Sequence, residues 1–220
     1  RDPKNFEPAI CGKTRAVFIE AIGNPALDVA DIEAIAEIAH RHDLPLIVDA
    51  TFATPYLLRP IEHDADIVIH SLTKWIGGIM VDSGKFNWKN PKFRLFTEPE
   101  PSYHGLRYAY DLGDLNPIAF ALRMRTVPLR NLGAALSPDN AWMFLQGLET
   151  LSLRMERHCE NARAVAEYLH SHPKVNWVRY PGLADDPSHS VAKKYFKTGF
   201  GGMVVFGIKG GKAEGQRFIE

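Results

Sequence analysis

The chain reads as an α/β protein built around a mainly parallel sheet, and three observations lead there. From Arg15 onward, strand-length apolar runs alternate with amphipathic stretches, the pattern of βαβ units. Two successive runs deliver polar residues, Asp49 and the H-S-L-T-K stretch, to their carboxyl ends, where open α/β sheets place ligands. With 45% apolar and 24% charged residues in 220, the chain has enough apolar mass to bury a substantial core.

The elements follow in order. Ala16-Val17-Phe18-Ile19 is the first buried strand, stopped by the turn cluster Gly23-Asn24-Pro25. Asp28 is then placed to cap a helix in which Ile32, Ile35, Ala36 and Ala39 form one apolar stripe. His42-Asp43 closes that helix. Pro45 opens the next run, Leu46-Ile47-Val48, which ends at Asp49. A third run, Ile67-Val68-Ile69, leads into Ser71, Thr73 and Lys74, and a short fourth, Ile79-Met80-Val81, enters a Trp/Phe/Pro-rich connection with neither helical nor strand period. Irregular chain of that length is usually functional.

Beyond Asn116-Pro117 the reading is helical: first I-A-F-A-L-R-M-R, then a helix starting at Ser137-Pro138, an N-cap followed by proline at the first helical position, then 151–170. Strands are expected near 175–178 and 203–208, with a helix near 188–197. A domain boundary is expected close to 135, dividing the chain into 1–135 and 136–220.

Charge and composition exclude several classes. Lys+Arg 26 balances Asp+Glu 26, so no basic field exists to hold nucleic acid or an anionic membrane surface. No apolar run approaches the roughly 20 residues of a membrane span. Cys11 and Cys159 show neither a C-x-x-C nor a zinc-ligand spacing, which points to a reducing, cytoplasmic setting. The nine histidines have no metal-ligand spacing and read as solvated, with no metal expected. His70 is expected to pack beneath its strand. Arg154, Glu156 and Arg157 read as a solvated helix face, and Cys159 as a small buried apolar residue.

The chemistry sits at the two strand ends. Lys74 offers a primary amine, Ser71 and Thr73 two hydroxyls suited to a phosphate, and Asp49 a carboxylate able to pair with a protonated ring nitrogen. An amine for an aldehyde, hydroxyls for a phosphate and a carboxylate for a pyridinium match the requirements of pyridoxal 5'-phosphate, PLP. Only a primary amine forms the Schiff base that the cofactor needs, so an arginine at position 74 would be inert.

The exact words P-L-I-V-D-A-T-F-A-T-P, A-D-I-V-I-H-S-L-T-K-W-I-G-G and L-Q-G-L-E-T-L-S-L-R-M-E-R-H-C-E-N-A resemble the PLP-dependent Cys/Met-metabolism family, which includes cystathionine γ-synthase and methionine γ-lyase. The stretch D-S-G-K-F-N-W-K-N-P-K-F-R-L-F-T-E-P-E-P-S-Y-H-G-L resembles the O-acetylhomoserine sulfhydrylase branch. The resemblance covers essentially the whole chain. It implies a fold type I transferase: part of the PLP-binding large domain plus part of the smaller carboxyl-terminal α/β domain, with the first three strands parallel and the fourth antiparallel. It further implies that Lys74 carries the cofactor, Asp49 pairs with the pyridine nitrogen, and Ser71 and Thr73 contact the phosphate. Asn24 corresponds to the family's ligand of the ring hydroxyl, or is simply a turn former before Pro25.

The implied reaction is γ-replacement, converting O-acetylhomoserine and sulfide to homocysteine and acetate, in a cytoplasmic homotetramer. The alternatives are cystathionine γ-synthase or methionine γ-lyase activity and, in another class, a catalytically silent partial subunit. Family members are longer at both ends and carry a further glycine-bearing stretch after the K-x-I-G-G word, whereas here Gly78 runs straight into Ile79.

Overall fold

The structure, a computed structural model, describes residues 2–72 and 77–220. Two short 3-10 turns, Pro3–Asn5 and Glu7–Ala9, lead into β1 (Val17–Glu20). The helix α1 (Ile32–Arg41) is capped by Asp31, whose side chain accepts from the Ala34 N–H at 3.5 Å, and not by Asp28 as the sequence suggested. Asp28 is engaged elsewhere, by Arg179 at 2.8 Å, and lies one turn too early to reach the first free N–H groups of α1.

β2 (Leu46–Asp49), α2 (Thr54–Leu57), β3 (Ile67–Ser71) and β4 (Gly78–Asp82) complete the first half. The four strands form one sheet in the order β1-β2-β3-β4, with β1, β2 and β3 parallel and β4 antiparallel to β3. One face buries Val17, Ile19, Leu46, Val48 and Val68 against Ile32, Ile35, Ala36 and Ala39 of α1. Each fully buried Leu, Ile or Val stabilises by about 1.5–3 kcal/mol, so this stripe-on-sheet contact anchors the half. Phe18 on β1 and Ile79 and Met80 on β4 remain exposed.

The connection after β4 is irregular in backbone but ordered by aromatic packing. It holds a short helix, α3 (Arg94–Thr97), the 3-10 turns Pro101–Tyr103 and Gly113–Ile118, and a second core in which Trp88 stacks on Phe96 at 4.3 Å and meets Phe93 edge-on at 5.3 Å. Tyr108 and Ile67 are buried in that core, and Ile47 packs against it, so the segment covers part of the sheet face opposite α1. Next come α4 (Ala119–Met124) and α5 (Arg130–Leu132), joined by a π-helical turn, Arg125–Leu129, that accommodates Pro128. Gly133, at φ 68°, ends α5 in the left-handed region that glycine adopts without strain.

Ser137 caps α6 (Pro138–Glu149), accepting from the Asn140 N–H at 3.1 Å, and α7 (Leu151–Ser171) follows almost without a break. β5 (Val175–Arg179), α8 (His189–Tyr195), β6 (Val205–Ile208) and α9 (Lys212–Ile219) end the chain, with β5 and β6 pairing antiparallel. The sequence did not anticipate α9. Met155 and Cys159 of α7, with Ala192, Tyr195 and Phe196, enter the same core as β1 and β2. Glu156 is not part of a purely solvated face, because it accepts from the Tyr56 hydroxyl at 2.6 Å and ties α7 to α2. Arg157 does pair with Glu160 at the surface.

Several histidines read as solvated are partnered, among them His42 with Glu7 at 3.3 Å and His189 with the Pro181 carbonyl at 2.9 Å. His40 meets the buried Asp66 at 2.8 Å, and His63 meets Glu33 at 2.8 Å. Among the described residues no group of three or more His, Cys, Asp or Glu side chains could hold a metal ion, and no helix is long and apolar enough to cross a membrane.

Candidate active site

Side chains alternate across a strand, so burying Leu46 and Val48 on the α1 face sends Ile47 and Asp49 to the other. Register puts Glu20, Asp49 and Ile69 in one row at the carboxyl ends of three parallel strands. Ser71 lies two residues beyond Ile69 and so shares the face of Asp49. The backbone on both sides of Asp49 is clamped: its carbonyl accepts from the Ala21 N–H at 2.8 Å, and the Ala50 N–H donates to Ile69 at 2.9 Å.

Thr51 joins the two strand ends. Its backbone N–H donates to Asp49 Oδ1 at 2.9 Å and its hydroxyl donates to the same oxygen at 2.5 Å. The Thr51 hydroxyl oxygen in turn accepts from the Ser71 N–H at 2.9 Å. Both bonds to Asp49 end on Oδ1, leaving Oδ2 open among the described residues. On the opposite face, burial pushes the His70 imidazole below its ordinary value, only partly offset by the Ala50 backbone and the Asp49 carboxylate. The shift favours the neutral imidazole.

Asn24 occupies an exposed loop directly after β1. Its N–H donates to Glu20 Oε2 at 2.7 Å, and the loop is closed by the bonds Gly23 N–H to Asp28 and Leu27 N–H to Gly23, both 2.8 Å. The Asn24–Pro25 bond is cis. Asn24 thus sits at the end of the strand next to Asp49, held by a carboxylate in the same row.

Of the residues singled out in the sequence, the structure brings Asp49 and Ser71 together and sets Asn24 one strand away. Lys74 and Thr73 lie outside the described residues. Sequence reasoning passed over Thr51 and Glu20. The D-A-T spacing was the available signal for Thr51, since a hydroxyl or N–H two residues after an aspartate readily bonds back to it.

The donor set fits PLP. An open carboxylate oxygen suits a ring nitrogen carrying a proton, the Ser71 hydroxyl suits a phosphate oxygen, and the Asn24 amide suits a ring hydroxyl. All three stand at the carboxyl edge of the sheet, where open α/β folds hold ligands.

The whole chain, residues 1–220, matches the family described as Cys/Met metabolism PLP-dependent enzyme. It is 51% identical over 232 aligned residues to the O-acetyl-L-homoserine sulfhydrylase of Leptospira meyeri, covering 100% of this chain and 52% of that protein. It is 50% identical over 228 residues to the homocysteine synthase of Schizosaccharomyces pombe, covering 99% of this chain and 52% of that one. A crystal structure of an O-acetylhomoserine (thiol)-lyase from Campylobacter jejuni, which carries a pyridoxyl-lysine monophosphate, superposes with a TM-score of 0.87 at 40% identity, over 94% of this chain and 53% of that one. The chain thus spans about half the length of the curated relatives it matches. Its sheet order, its strand-end residues and its match over the full 220 positions together show that this chain belongs to the PLP-dependent Cys/Met-metabolism enzyme family.

Proposed function

We propose that the intact protein catalyses γ-replacement on O-acetylhomoserine, with sulfide as nucleophile and homocysteine and acetate as products. The observation that carries this reading is the paired strand end: Asp49 and Ser71 on one face, joined through Thr51. The names of the relatives from Leptospira and Schizosaccharomyces supply the substrate class. PLP, when bound, supplies an electron-withdrawing ring for the substrate carbons.

Each residue has a defined task. Asp49 Oδ2 holds the proton on the ring nitrogen, and Ser71 and Thr73 donate to the phosphate. Asn24 orients the ring through its hydroxyl. Lys74 would hold the cofactor through its amine and would serve as the base that takes the substrate's Cα proton and gives protons back to the product carbons. One amine working between neighbouring carbons accounts for anchor and base being the same residue.

We place the working protein in the cytoplasm as a homotetramer. Residues 1–135 belong to the large domain and 136–220 to the small one, with the left-handed Gly133 at the join.

Competition settles the nucleophile. Offered sulfide and cysteine at equal concentration with O-acetylhomoserine, the intact holoenzyme is expected to make homocysteine in large excess over cystathionine. A cystathionine majority, or ammonia released from methionine alone, would move the protein to the synthase or lyase reading. The silent partial subunit is a reading of the 220-residue chain itself, and it would be favoured if that chain develops no visible band on addition of PLP.

A further inference from the structure

We propose that Thr51 is a positioning residue that fixes the Asp49 carboxylate and couples it to the end of β3, an inference that rests on the PLP reading above. An aspartate on a half-buried strand end has two free side-chain torsions, and nothing in β2 itself chooses between its oxygens. Thr51 makes that choice. Its N–H and hydroxyl converge on Oδ1 at 2.9 and 2.5 Å, which leaves Oδ2, without a partner among the described residues, as the oxygen for a ring nitrogen.

The hydroxyl's orientation is itself determined. A threonine hydroxyl has one proton to give. Because its oxygen accepts from the Ser71 N–H at 2.9 Å, that proton is directed at Asp49. The chain Ser71 N–H to Thr51 hydroxyl to Asp49 therefore ties the cofactor's two ends together: the strand end that meets the phosphate sets the carboxylate that meets the ring. Charge-assisted bonds of this kind are about twice as strong as neutral ones, so Thr51 is a strong constraint on Asp49 rather than a passive neighbour.

Three variants of the intact protein test this: Thr51→Val removes the hydroxyl and keeps the branch, Thr51→Ser restores the hydroxyl, and Asp49→Asn serves as reference. The readouts are the PLP dissociation constant and the pH midpoint of the bound cofactor's visible band. Thr51→Val is expected to raise the dissociation constant about tenfold, the effect of one lost bond to a charged group. It should also move the midpoint upward, because a ring nitrogen less firmly protonated withdraws fewer electrons. Thr51→Ser should return both toward wild type. In an Asp49→Asn background, Thr51→Val should add nothing to the change in midpoint, since its action runs through that carboxylate.

If Thr51→Val does not fold, Thr51→Ala gives the same comparison. Wild-type binding and midpoint in the hydroxyl-less variant, with Asp49→Asn impaired, would overturn the role of Thr51 and leave the PLP reading standing. Failure of the wild-type protein to bind PLP, or unaltered binding by Asp49→Asn, would overturn the reading itself.

Discussion

Arg179 and Asp186 form an ion pair at 2.9 Å in which the carboxylate has no exposed surface. The same guanidinium reaches Asp28 at 2.8 Å, so one side chain at the end of β5 holds the loop after β1. Asp186 also accepts from the Tyr180 and Ser188 N–H groups, and the Ser188 hydroxyl accepts from the Val29 N–H at 3.1 Å. This cluster docks the second half of the chain beside the loop that carries Asn24.

Arg179→Ala removes the cation and leaves Asp186 buried without its charge partner. Breaking a buried pair costs about 3–5 kcal/mol, and the two remaining N–H donors put this case at the lower end, about 3 kcal/mol. The intact protein should show a clearly lower urea midpoint, while the exposed Arg157→Ala variant, whose ion pair is solvated, should shift it little. An unchanged midpoint for Arg179→Ala would show that this ion pair does not hold the two halves together.

Alkaline stability should report on two buried phenols. Tyr180 and Tyr195 are both pushed up to about 12 from the ordinary 10, Tyr180 chiefly by burial and Tyr195 by burial together with the bond it donates to Asp31. Lys194 is also raised, chiefly by its bond to Glu33 at 2.8 Å. A folded value above the unfolded one means that the folded state holds the proton more tightly. The stability is therefore complete below pH 10 and is lost as pH climbs from 10 to 12. Denaturant midpoints measured across that window should fall steeply for wild type and less steeply for Tyr195→Phe, which has no phenolic proton to lose. Equal slopes would remove Tyr195 from the account.

Local pattern made much of this fold legible, and tertiary commitments hid the rest. The four strands of the first sheet lie where the apolar runs put them, and Ser137-Pro138 starts α6 as its chemistry requires. The sequence pointed to Asp28 as the cap of α1, but the helix starts later, at Ile32 behind Asp31, and Asp28 is held by Arg179, a residue remote in sequence. The chain from 83 to 112 has no period to read because its order comes from Trp88, Phe93 and Phe96 packing on one another. α9 was obscured by Gly210-Gly211, which reads as a breaker, although the Gly211 N–H donates to Glu214 at 2.8 Å and so begins a helix. At the site, Asp49 and Ser71 were visible as strand-end polar residues. Thr51 was not, because its importance depends on the register that brings Ser71 over it.

If the strand-end constellation holds PLP through Lys74, covalent labelling will find the cofactor there. The intact holoenzyme is reduced with borohydride, digested, and the pyridoxyl-bearing peptide sequenced. A single label is expected on Lys74, three residues beyond Ser71. A label on Lys85 or any other lysine, or no label on a protein that has bound the cofactor, would contradict it.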